Sequence, residues 1–345
     1  MPNLILTYKV LHNRDFENEI SKARKVAEYA IKYKTFTSKD VKHIGLKSAI
    51  TNQILRKYGR NKQVRTVNKV KLTVPGQGVK VDRESRTITI PCLKLSFRYW
   101  FPSFERVNQV EIGVEYIYVS VSVKEVDQQQ TSGYIGLDLN TTGHVAVVSN
   151  PDTGKVWKFG KVAGHIHSKY KSIRRQLQRQ GNYRKVKQIK NRESRIVRNL
   201  NHNISKKIVK FAKQNGHGIR LEKLQNIRKS TRHGKRFRYS LNSWSFYQLQ
   251  KFIEYKARLQ GVIVEYIDPR YTSKTCSKCG HMGNRDNKKF ECLNNNCRHV
   301  DHGDVNASFS IGNPIQYCII PTRDRFNVDR DMLKGSTDTP KGATL

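Results

Sequence analysis

Acidic residues are scarce in this chain of 345 residues. Only 27 Asp and Glu stand against 66 Lys and Arg, which gives a formal net charge of +39. Such an excess of one sign would repel itself in an isolated protein, so it indicates a polyanionic partner. DNA or RNA fits that requirement best, and binding should weaken steeply with salt. A membrane surface is the weaker alternative.

Long apolar stretches are also lacking, although the hydrophobic fraction of 37% suffices for cores. No run approaches the roughly 20 residues of a spanning helix, and the N-terminus carries no secretory signal pattern. Heptads and internal repeats are absent. We therefore expect no membrane partner, and the length predicts two or three domains.

Cysteines are few, and four of the six cluster in residues 276–297, with Cys92 and Cys318 far away. That distribution favours a metal site over a disulfide framework and indicates a reducing compartment. The four clustered cysteines form two close pairs joined by a hairpin-length spacer: Cys276, Cys279, Cys292 and Cys297. Four thiolates predict a closed, structural zinc site that folds an insert at 271–300. His281, His299 or His302 could replace one ligand, which we consider the weaker arrangement.

Residues 1–125 predict a β-structure that carries a helical insertion at about 14–60. A strand at 4–11 precedes helices at 16–57, and a period-two pattern returns from Val67. Short alternating strands separated by turns predict an antiparallel sheet or small barrel. Four aromatics in these strands fit either core packing or base stacking: Tyr99, Trp100, Tyr116 and Tyr118.

A polar segment at 125–133 marks a domain boundary, and residues 126–320 predict a second, α/β domain. Three strands at 134–160 are followed by one long helix at about 165–214, a strand at 216–224, a helix at 245–260 and a strand at 262–268. This order resembles the ribonuclease H type of fold. The tail at 321–345 has the composition of a disordered segment.

Three acids stand out against this basic background. Asp138 interrupts an apolar strand, where an unpaired carboxylate is costly. Glu222 ends another apolar strand, and Asp304 opens a predicted helix. Taken singly, Glu222 fits a surface ion pair and Asp304 a helix cap. Together they match the carboxylates that two-metal nucleases draw from distant segments to hold two Mg²⁺ ions.

The predicted long helix is strongly basic. Between Ser168 and Leu200 it carries twelve Lys or Arg and one acid, Glu193, which we interpret as an ion-pair partner. A solvated charge face is the alternative, but like charges would repel along it. We therefore predict that this helix lies along a nucleic-acid duplex, with the following residues in contact: Arg174, Arg175, Arg179, Arg184, Lys185 and Lys187.

Over residues 1–315 the chain resembles the TnpB family, OrfB-type proteins of insertion sequences related to compact type V CRISPR effectors. The motifs are GLDLNTTG with Asp138, GIRLEKL with Glu222, DPRYTSKTCSKCG, and DHGDVNAS with Asp304. The resemblance implies an α+β multidomain protein: a wedge-like β-barrel with a helical recognition module, then a ribonuclease H-like (RuvC) nuclease domain with an inserted four-cysteine zinc ribbon. Asp138, Glu222 and Asp304 would then be catalytic and hold Mg²⁺.

The implied function is a transposon's RNA-guided DNA endonuclease in the prokaryotic cytoplasm or nucleoid. Its partners would be a guide RNA from the transposon end and double-stranded target DNA, with one protein copy per RNA. The protein would read a short motif beside the target while base pairing reads the rest.

Two motifs depart from the family pattern. The second cysteine pair is separated by four residues where two are common, and Asp301-His302-Gly303-Asp304 stands where Asp-Arg-Asp is common. We align Asp304 with the family acid, because it precedes Val305-Asn306-Ala307, and treat Asp301 as the alternative. The rival functions are a guide-RNA-binding repressor without cleavage and a DNA transposase. The three acids favour the nuclease.

Overall fold

The computed structural model describes residues 4–35, 37–60, 64–141, 143–223 and 246–313. The chain divides into two compact units, residues 1–125 and 126–345. The tail for which we predict disorder lies outside the described residues. Within the described part, no helix is both long and apolar enough to cross a bilayer.

The first unit is built from antiparallel strands and two helices. Its strands are β1 (Leu4–Leu11), β2 (Leu72–Pro75), β3 (Lys80–Asp82), β4 (Thr87–Ile90), β5 (Leu95–Arg98), β6 (Arg106–Ile112) and β7 (Tyr116–Val123). They form one sheet in the order β1-β7-β6-β2 and a second in the order β3-β4-β5. The mixed α/β character of the chain is confirmed, whereas closure of these sheets into a barrel remains a prediction.

Helices α1 (Glu17–Tyr33) and α2 (Ser48–Tyr58) lie between β1 and β2, inside the segment predicted as a helical insertion. α1 buries one stripe of small apolar side chains at helical spacing, namely Ala23, Val26, Ala27 and Ala30. In β7 the buried side chains alternate as the sequence pattern predicts. Tyr99 is buried in the core of this unit, while Trp100 is 68% exposed.

The second unit has a five-stranded mixed sheet with helices on both faces. Its elements are β8 (Gly133–Leu139), β9 (Ala146–Ser149), β10 (Val156–Phe159), α3 (Val162–Arg179), α4 (Tyr183–Gln214), β11 (His217–Glu222), α5 (Phe246–Arg258), β12 (Val264–Ile267) and α6 (Gly303–Gly312). The strand order is β10-β9-β8-β11-β12. β8 to β10 form an antiparallel meander, and β11 lies parallel to both β8 and β12.

One face of this sheet packs against α4 and α5. The alternating side chains of β8 that face this way include Ile135, Leu137 and Leu139, and they share a core with Ile208 of α4 and Ile253 of α5. The opposite face carries α6. This division places the even-numbered residues of β8, including Asp138, on the α6 side.

Our prediction of one long helix at about 165–214 is wrong, because the structure has a helical hairpin. α3 ends at Arg179, and Gly181 has a φ of 67°, a left-handed conformation that suits glycine. Asn182 then caps α4, and its side-chain oxygen accepts a hydrogen bond from the backbone N–H of Lys185 at 3.4 Å. The composition is helical throughout, so only the Gly-Asn pair marks the break.

A three-stranded hairpin sheet separates β12 from α6. Its strands are β13 (Gly283–Asp286), β14 (Lys289–Cys292) and β15 (Val300–His302), paired antiparallel in sequence order. The C-terminal end of β15 runs directly into α6. The hairpin and the helix that carries Asp304 are therefore continuous in the chain.

Candidate carboxylate and zinc sites

The four clustered cysteines converge at the base of the hairpin sheet. Their sulfur atoms all lie within 4.8 Å of one another, with Cys279 and Cys292 at 3.4 Å and Cys276 and Cys297 at 3.9 Å. Zn–S bonds of about 2.3 Å in a tetrahedron would separate the sulfurs by about 3.8 Å. The cysteine sulfurs therefore fit a four-coordinate zinc ion.

The backbone around the cysteines supports this arrangement. The N–H of Gly280 donates to the carbonyl of Cys276 at 2.9 Å, and Gly280 has a φ of 73°, which closes the tight turn after the first pair. His281 directs its ring Nδ1 to the carbonyl of Cys279, 3.1 Å away, and so lies outside the sulfur cluster. Replacement of a cysteine ligand by His281 is accordingly disfavoured.

The thiols of this cluster differ in acidity. Burial raises the pKa of Cys276 to about 12. Burial also opposes ionisation of Cys279, but the backbone N–H of His281 and the neighbouring cysteines outweigh it and lower its pKa to about 6. Ionisation of Cys279 is thus easier than ionisation of Cys276, and binding of a metal would favour the thiolate form of its ligands.

Asp138 lies near the end of β8, and only 7% of it is exposed. Its Oδ2 accepts a hydrogen bond from the side-chain amide of Asn140 at 2.8 Å. Its neighbour on β9 is Val147, and Leu137 pairs with Leu221 of β11. Asp138 directly follows Leu137, and Glu222 directly follows Leu221. The two carboxylates therefore lie at neighbouring positions on adjacent strands.

Glu222 is 8% exposed and is held by side chains from two other segments. The hydroxyl of Thr272, which precedes the hairpin, donates to Glu222 Oε1. The amide of Gln250 in α5 donates to the backbone carbonyl of Glu222 at 3.1 Å. The segment that leads into the cysteine cluster therefore also orients this acid.

Asp304 lies in the first turn of α6 and is 2% exposed. Two basic side chains of the hairpin bind it. Arg285 donates to Oδ1 at 2.7 Å, and Lys288 reaches both carboxylate oxygens at 2.9 and 2.7 Å. His302 precedes the helix, and its Nδ1 accepts the N–H of Asp304 at 3.3 Å. The hairpin thus fixes the third acid as well as the cysteines.

Close packing of α6 on β8 brings Asp304 to the sheet. A Cβ atom at Gly136 would lie 1.9 Å from the carbonyl oxygen of Ser308 and 2.3 Å from the nitrogen of Gly312, so only glycine fits. Arg220 of β11 faces the same way and donates to the Gly312 carbonyl at 3.1 Å. Gly136 and Arg220 thus mark the side of the sheet that faces the C-terminal end of α6.

The three acids therefore share one face of the sheet. Asp138 lies two residues beyond Gly136 and Glu222 two residues beyond Arg220, so both point to the α6 side, towards the end of α6 that carries Asp304. Within the described ranges, however, the four cysteines form the one group of potential ligands whose atoms all lie within 4.8 Å. Each acid is instead engaged by protein donors. Carboxylate oxygens are the donors that Mg²⁺ prefers, so the donor set fits that ion.

Sequence reasoning missed these supporting donors: Asn140, Thr272, Arg285 and Lys288. Arg285 and Lys288 could have been suspected from their place between the two cysteine pairs, because an insert that runs directly into the helix of Asp304 is placed to contact that helix. Asn140 and Thr272 carry no signal beyond their residue type.

The basic residues of the helical hairpin fall into two groups. Arg174 pairs with the buried carboxylate of Glu193, whose other oxygen lies 2.7 Å from Nδ1 of His167. Glu193 is thus an ion-pair partner, as predicted. The remaining residues proposed to contact nucleic acid are exposed: Arg175, Arg179, Arg184, Lys185 and Lys187. They lie on two helices and not on one.

Known proteins share the fold of this chain, and a known domain family matches the sequence of its segment from α5 to α6. The family model of the Cas12f1-like TNB domain matches residues 246–311, from α5 to α6. A chain in the cryo-EM structure of a Cas12f1-sgRNA-target DNA complex superposes with a TM-score of 0.57 at 16% identity, covering 87% of this chain and 82% of that chain. The chain therefore shares the fold of that Cas12 effector.

Two curated proteins are similar in sequence to parts of this chain. The chain is 36% identical over 154 residues to the TnpB-like protein MJ0751 of Methanocaldococcus jannaschii, covering 42% of this chain and 55% of that protein. It is 38% identical over 133 residues to the CRISPR-associated endodeoxyribonuclease Cas12f1 of Sulfoacidibacillus thermotolerans, covering 37% of this chain and 30% of that protein. The matches thus span about half of the first relative's length and under a third of the second's. Over these matched segments the chain is similar to a TnpB-like protein and to a Cas12f1 endodeoxyribonuclease.

Proposed function

We propose that this protein is an RNA-guided DNA endonuclease of a transposon. Base pairing with a guide RNA from the transposon end would select the target, and the protein would read a short motif beside it. The observation that carries the proposal is the placement of Asp138, Glu222 and Asp304 on one face of the sheet, beside the four-cysteine hairpin. Relatives named as endodeoxyribonucleases support the same activity.

The second unit would be a ribonuclease H-like (RuvC) nuclease domain. Its first strand, β8, carries Asp138, the parallel strand β11 carries Glu222, and helix α6 carries Asp304. This order of elements is the one that such a domain requires. Asp138, Glu222 and Asp304 would hold two Mg²⁺ ions, which supply an activated water and stabilise the leaving oxygen of the cleaved phosphodiester. The chain's own part is to fix the ligands: Asn140 orients Asp138, Thr272 orients Glu222, and Arg285 with Lys288 holds Asp304.

The hairpin would be a zinc ribbon with a structural role. Cys276, Cys279, Cys292 and Cys297 would bind one Zn²⁺ in a closed site, with no open position for a substrate. The ribbon carries Arg285 on β13 and Lys288 in the turn before β14, so folding of the ribbon on zinc would place both cations at Asp304. Zinc would therefore affect catalysis only by fixing the positions of Arg285 and Lys288.

Guide RNA and target DNA would lie against the basic surfaces. The exposed residues of the helical hairpin, Arg175, Arg179, Arg184, Lys185 and Lys187, would contact the backbone of the guide–target duplex. Charge reversal of Arg175 and Arg179 should weaken RNA retention, target binding or both. Unchanged retention and unchanged target binding would remove the hairpin from the interface.

The test of the proposed function starts from the RNA that copurifies with the protein. Sequencing should give one defined species, and the purified complex with Mg²⁺ should cut double-stranded DNA that matches that species beside a short motif. A repressor would bind this target and leave it intact. A transposase would join DNA ends without the RNA. Either outcome would contradict the proposal.

A further inference from the structure

We propose that Lys158 of β10 binds a backbone phosphate of the DNA strand at the carboxylate site. The inference rests on the proposed nuclease function, and it adds a substrate-positioning residue that none of the sequence motifs contains. Lys158 lies outside the hairpin, outside the basic helices and two strands away from the nearest proposed catalytic acid.

The register of the sheet places Lys158 on the same row as the acids. Lys158 pairs with Val147 of β9, and Val147 pairs with Asp138 of β8. Residues directly opposite in antiparallel strands point to the same face, so the side chains of Lys158 and Asp138 project on the same side of the sheet. Neighbouring strands lie about 4.8 Å apart, which places the two Cα atoms about 10 Å apart.

The packing of the flanking residues agrees with this direction. Trp157 and Phe159 pack against the core on the α4 and α5 face. Lys158 lies between them and therefore points to the α6 face, where Asp304 begins the helix. Its side chain is exposed, so the ammonium group is open to a ligand on the side where the acids lie.

Lys158 also forms no ion pair with a carboxylate in the part of the chain that the structure describes. Throughout the described ranges, no carboxylate lies within 4 Å of its ammonium group, unlike Lys288, which is bound to Asp304. An exposed lysine without a carboxylate partner can neutralise a phosphate without first breaking an ion pair.

A histidine at the rim of the site lies in the field of this charge. The pKa of His144, in the turn between β8 and β9, is lowered by burial and then by Lys158 and Lys161, while Asp304 acts in the opposite direction. Lys158 and Asp304 therefore both act on the space around His144.

A phosphodiester backbone is the ligand that matches this placement. The acids would engage the phosphate that is cut, and a lysine about 10 Å along the row, with a flexible four-carbon side chain, can reach a neighbouring phosphate of the same strand. Such a contact fixes the register of the strand without reading its sequence. Lys158 is thus a positioning residue, and its loss should weaken substrate binding more than chemistry.

The main experiment compares Lys158→Ala with Lys155→Ala in the purified RNA complex. Lys155 is also exposed, belongs to the same segment and carries the same charge, but it precedes β10 and stands at an odd-numbered position. For Lys158→Ala we expect KM for the DNA to rise about tenfold, equivalent to about 1.4 kcal/mol, with kcat within twofold of the wild-type value. Lys158→Arg should restore most of the loss, and Lys155→Ala should match the wild type.

Neutral methylphosphonate linkages then locate the contact. A single such linkage near the cut should raise KM of the wild-type complex by the same factor and have no further effect in Lys158→Ala. If Lys158→Ala behaves like Lys155→Ala, or if every neutral linkage acts equally in both proteins, the assignment is wrong.

A second readout does not depend on cleavage. In the Asp138→Ala variant, a single-stranded DNA oligonucleotide should slow acetylation of Lys158 by an amine-reactive ester about fivefold, as measured by mass spectrometry, and leave Lys155 unchanged. Equal labelling of both lysines would contradict the role of Lys158. A wild-type complex that never cuts DNA, but shows protection of Lys158, would instead contradict the proposed nuclease function.

Discussion

The cysteine site and the carboxylate site are built in opposite ways. The four cysteines come from 22 consecutive positions, 276–297, and their sulfurs already lie within 4.8 Å of one another. The acids come from positions 138, 222 and 304, and each is held by a donor from its surroundings. Four cysteine side chains with little net charge can lie close together before a metal binds, whereas ionised carboxylates repel one another and need neighbouring donors. A local motif can thus assemble its ligands alone, while the acid site depends on the whole domain.

The two sites are nevertheless coupled through the hairpin. Arg285 and Lys288 extend from it to Asp304, and Thr272, just before it, reaches Glu222. Damage at the cysteines should therefore spread to the acids, whereas damage at the acids should leave the cysteines intact. Variants of the two sites can test this asymmetry.

Removal of zinc should have the largest effect. Binding of structural zinc contributes about 10 kcal/mol or more to the folding of small ribbons. Chelation, or Cys276→Ser with Cys279→Ser, should unfold the hairpin, release Arg285 and Lys288 from Asp304 and abolish cleavage. Zinc content by atomic emission, thermal unfolding and cleavage rate measure this. Cys92→Ser is the matched control and should leave all three unchanged, because Cys92 lies outside the cluster.

Neutralising the acids should abolish chemistry without unfolding the protein. Asp138→Asn, Glu222→Gln and Asp304→Asn should each reduce the cleavage rate at least a thousandfold, about 4 kcal/mol of activation free energy. Zinc content and target binding should stay at the wild-type level. Asp301→Asn serves as the control, because Asp301 is the alternative alignment. If Asp301→Asn abolishes cleavage while Asp304→Asn does not, our alignment of the third acid is wrong.

A methyl group at Gly136 should separate α6 from the sheet. Because the new Cβ would meet backbone atoms of Ser308 and Gly312, Gly136→Ala should destabilise the protein by about 1–3 kcal/mol and displace Asp304. We expect a lower Tm and a reduced cleavage rate. Gly164→Ala in α3 is the control: among the described residues, nothing beyond its chain neighbours and its own helix backbone lies within 4 Å of its Cβ position, so helix propensity should make that change neutral or slightly stabilising. Equal Tm changes for both variants would contradict the close packing.

The smallest effect concerns Lys256, in the C-terminal half of α5. Burial and then the charge of Lys206 lower its pKa from 10.5 to about 8. The folded state therefore binds fewer protons than the unfolded state between pH 8 and 10.5, so stability should rise with pH in this window. Below pH 8 the penalty is fully present, about 1 kcal/mol after allowance for solvent screening.

Lys256→Met should accordingly raise the free energy of unfolding at pH 7 and flatten its rise above pH 8, as measured by urea unfolding at several pH values. Lys251→Met is the matched control on the same helix. Lys251 pairs with Glu254 at 2.7 Å, and this hydrogen bond raises its pKa, so the control should show no gain in stability. An unchanged pH profile for Lys256→Met would contradict the assignment to this amine.

Local patterns explain which features could be predicted from the sequence. The strand at Leu4–Leu11 and the alternation in β7 follow directly from period-two hydrophobicity. The cysteine spacing predicted a cluster because its ligands are close in sequence. The break at Gly181 was missed, since the flanking segments are helical by composition and only two residues mark the turn.

The surroundings of the acids could not be predicted, because they depend on contacts between distant segments. Asp138 and Glu222 were recognisable as acids at the ends of apolar strands. That Thr272 would bind Glu222, or that Arg285 and Lys288 would bind Asp304, required the packing of the hairpin against the sheet. The alignment of Lys158 with Asp138 likewise follows from strand register, which periodicity alone does not give.

We propose that Asp138, Glu222 and Asp304 form one divalent-metal site separate from the cysteines. Mn²⁺ binding to zinc-loaded protein, followed by electron paramagnetic resonance, tests this proposal. We predict two bound Mn²⁺ ions with magnetic coupling in the wild type, loss of the coupled signal in Asp138→Asn, Glu222→Gln and Asp304→Asn, and unchanged zinc content in all four proteins. Equal Mn²⁺ binding by the wild type and the three variants would contradict a shared metal site.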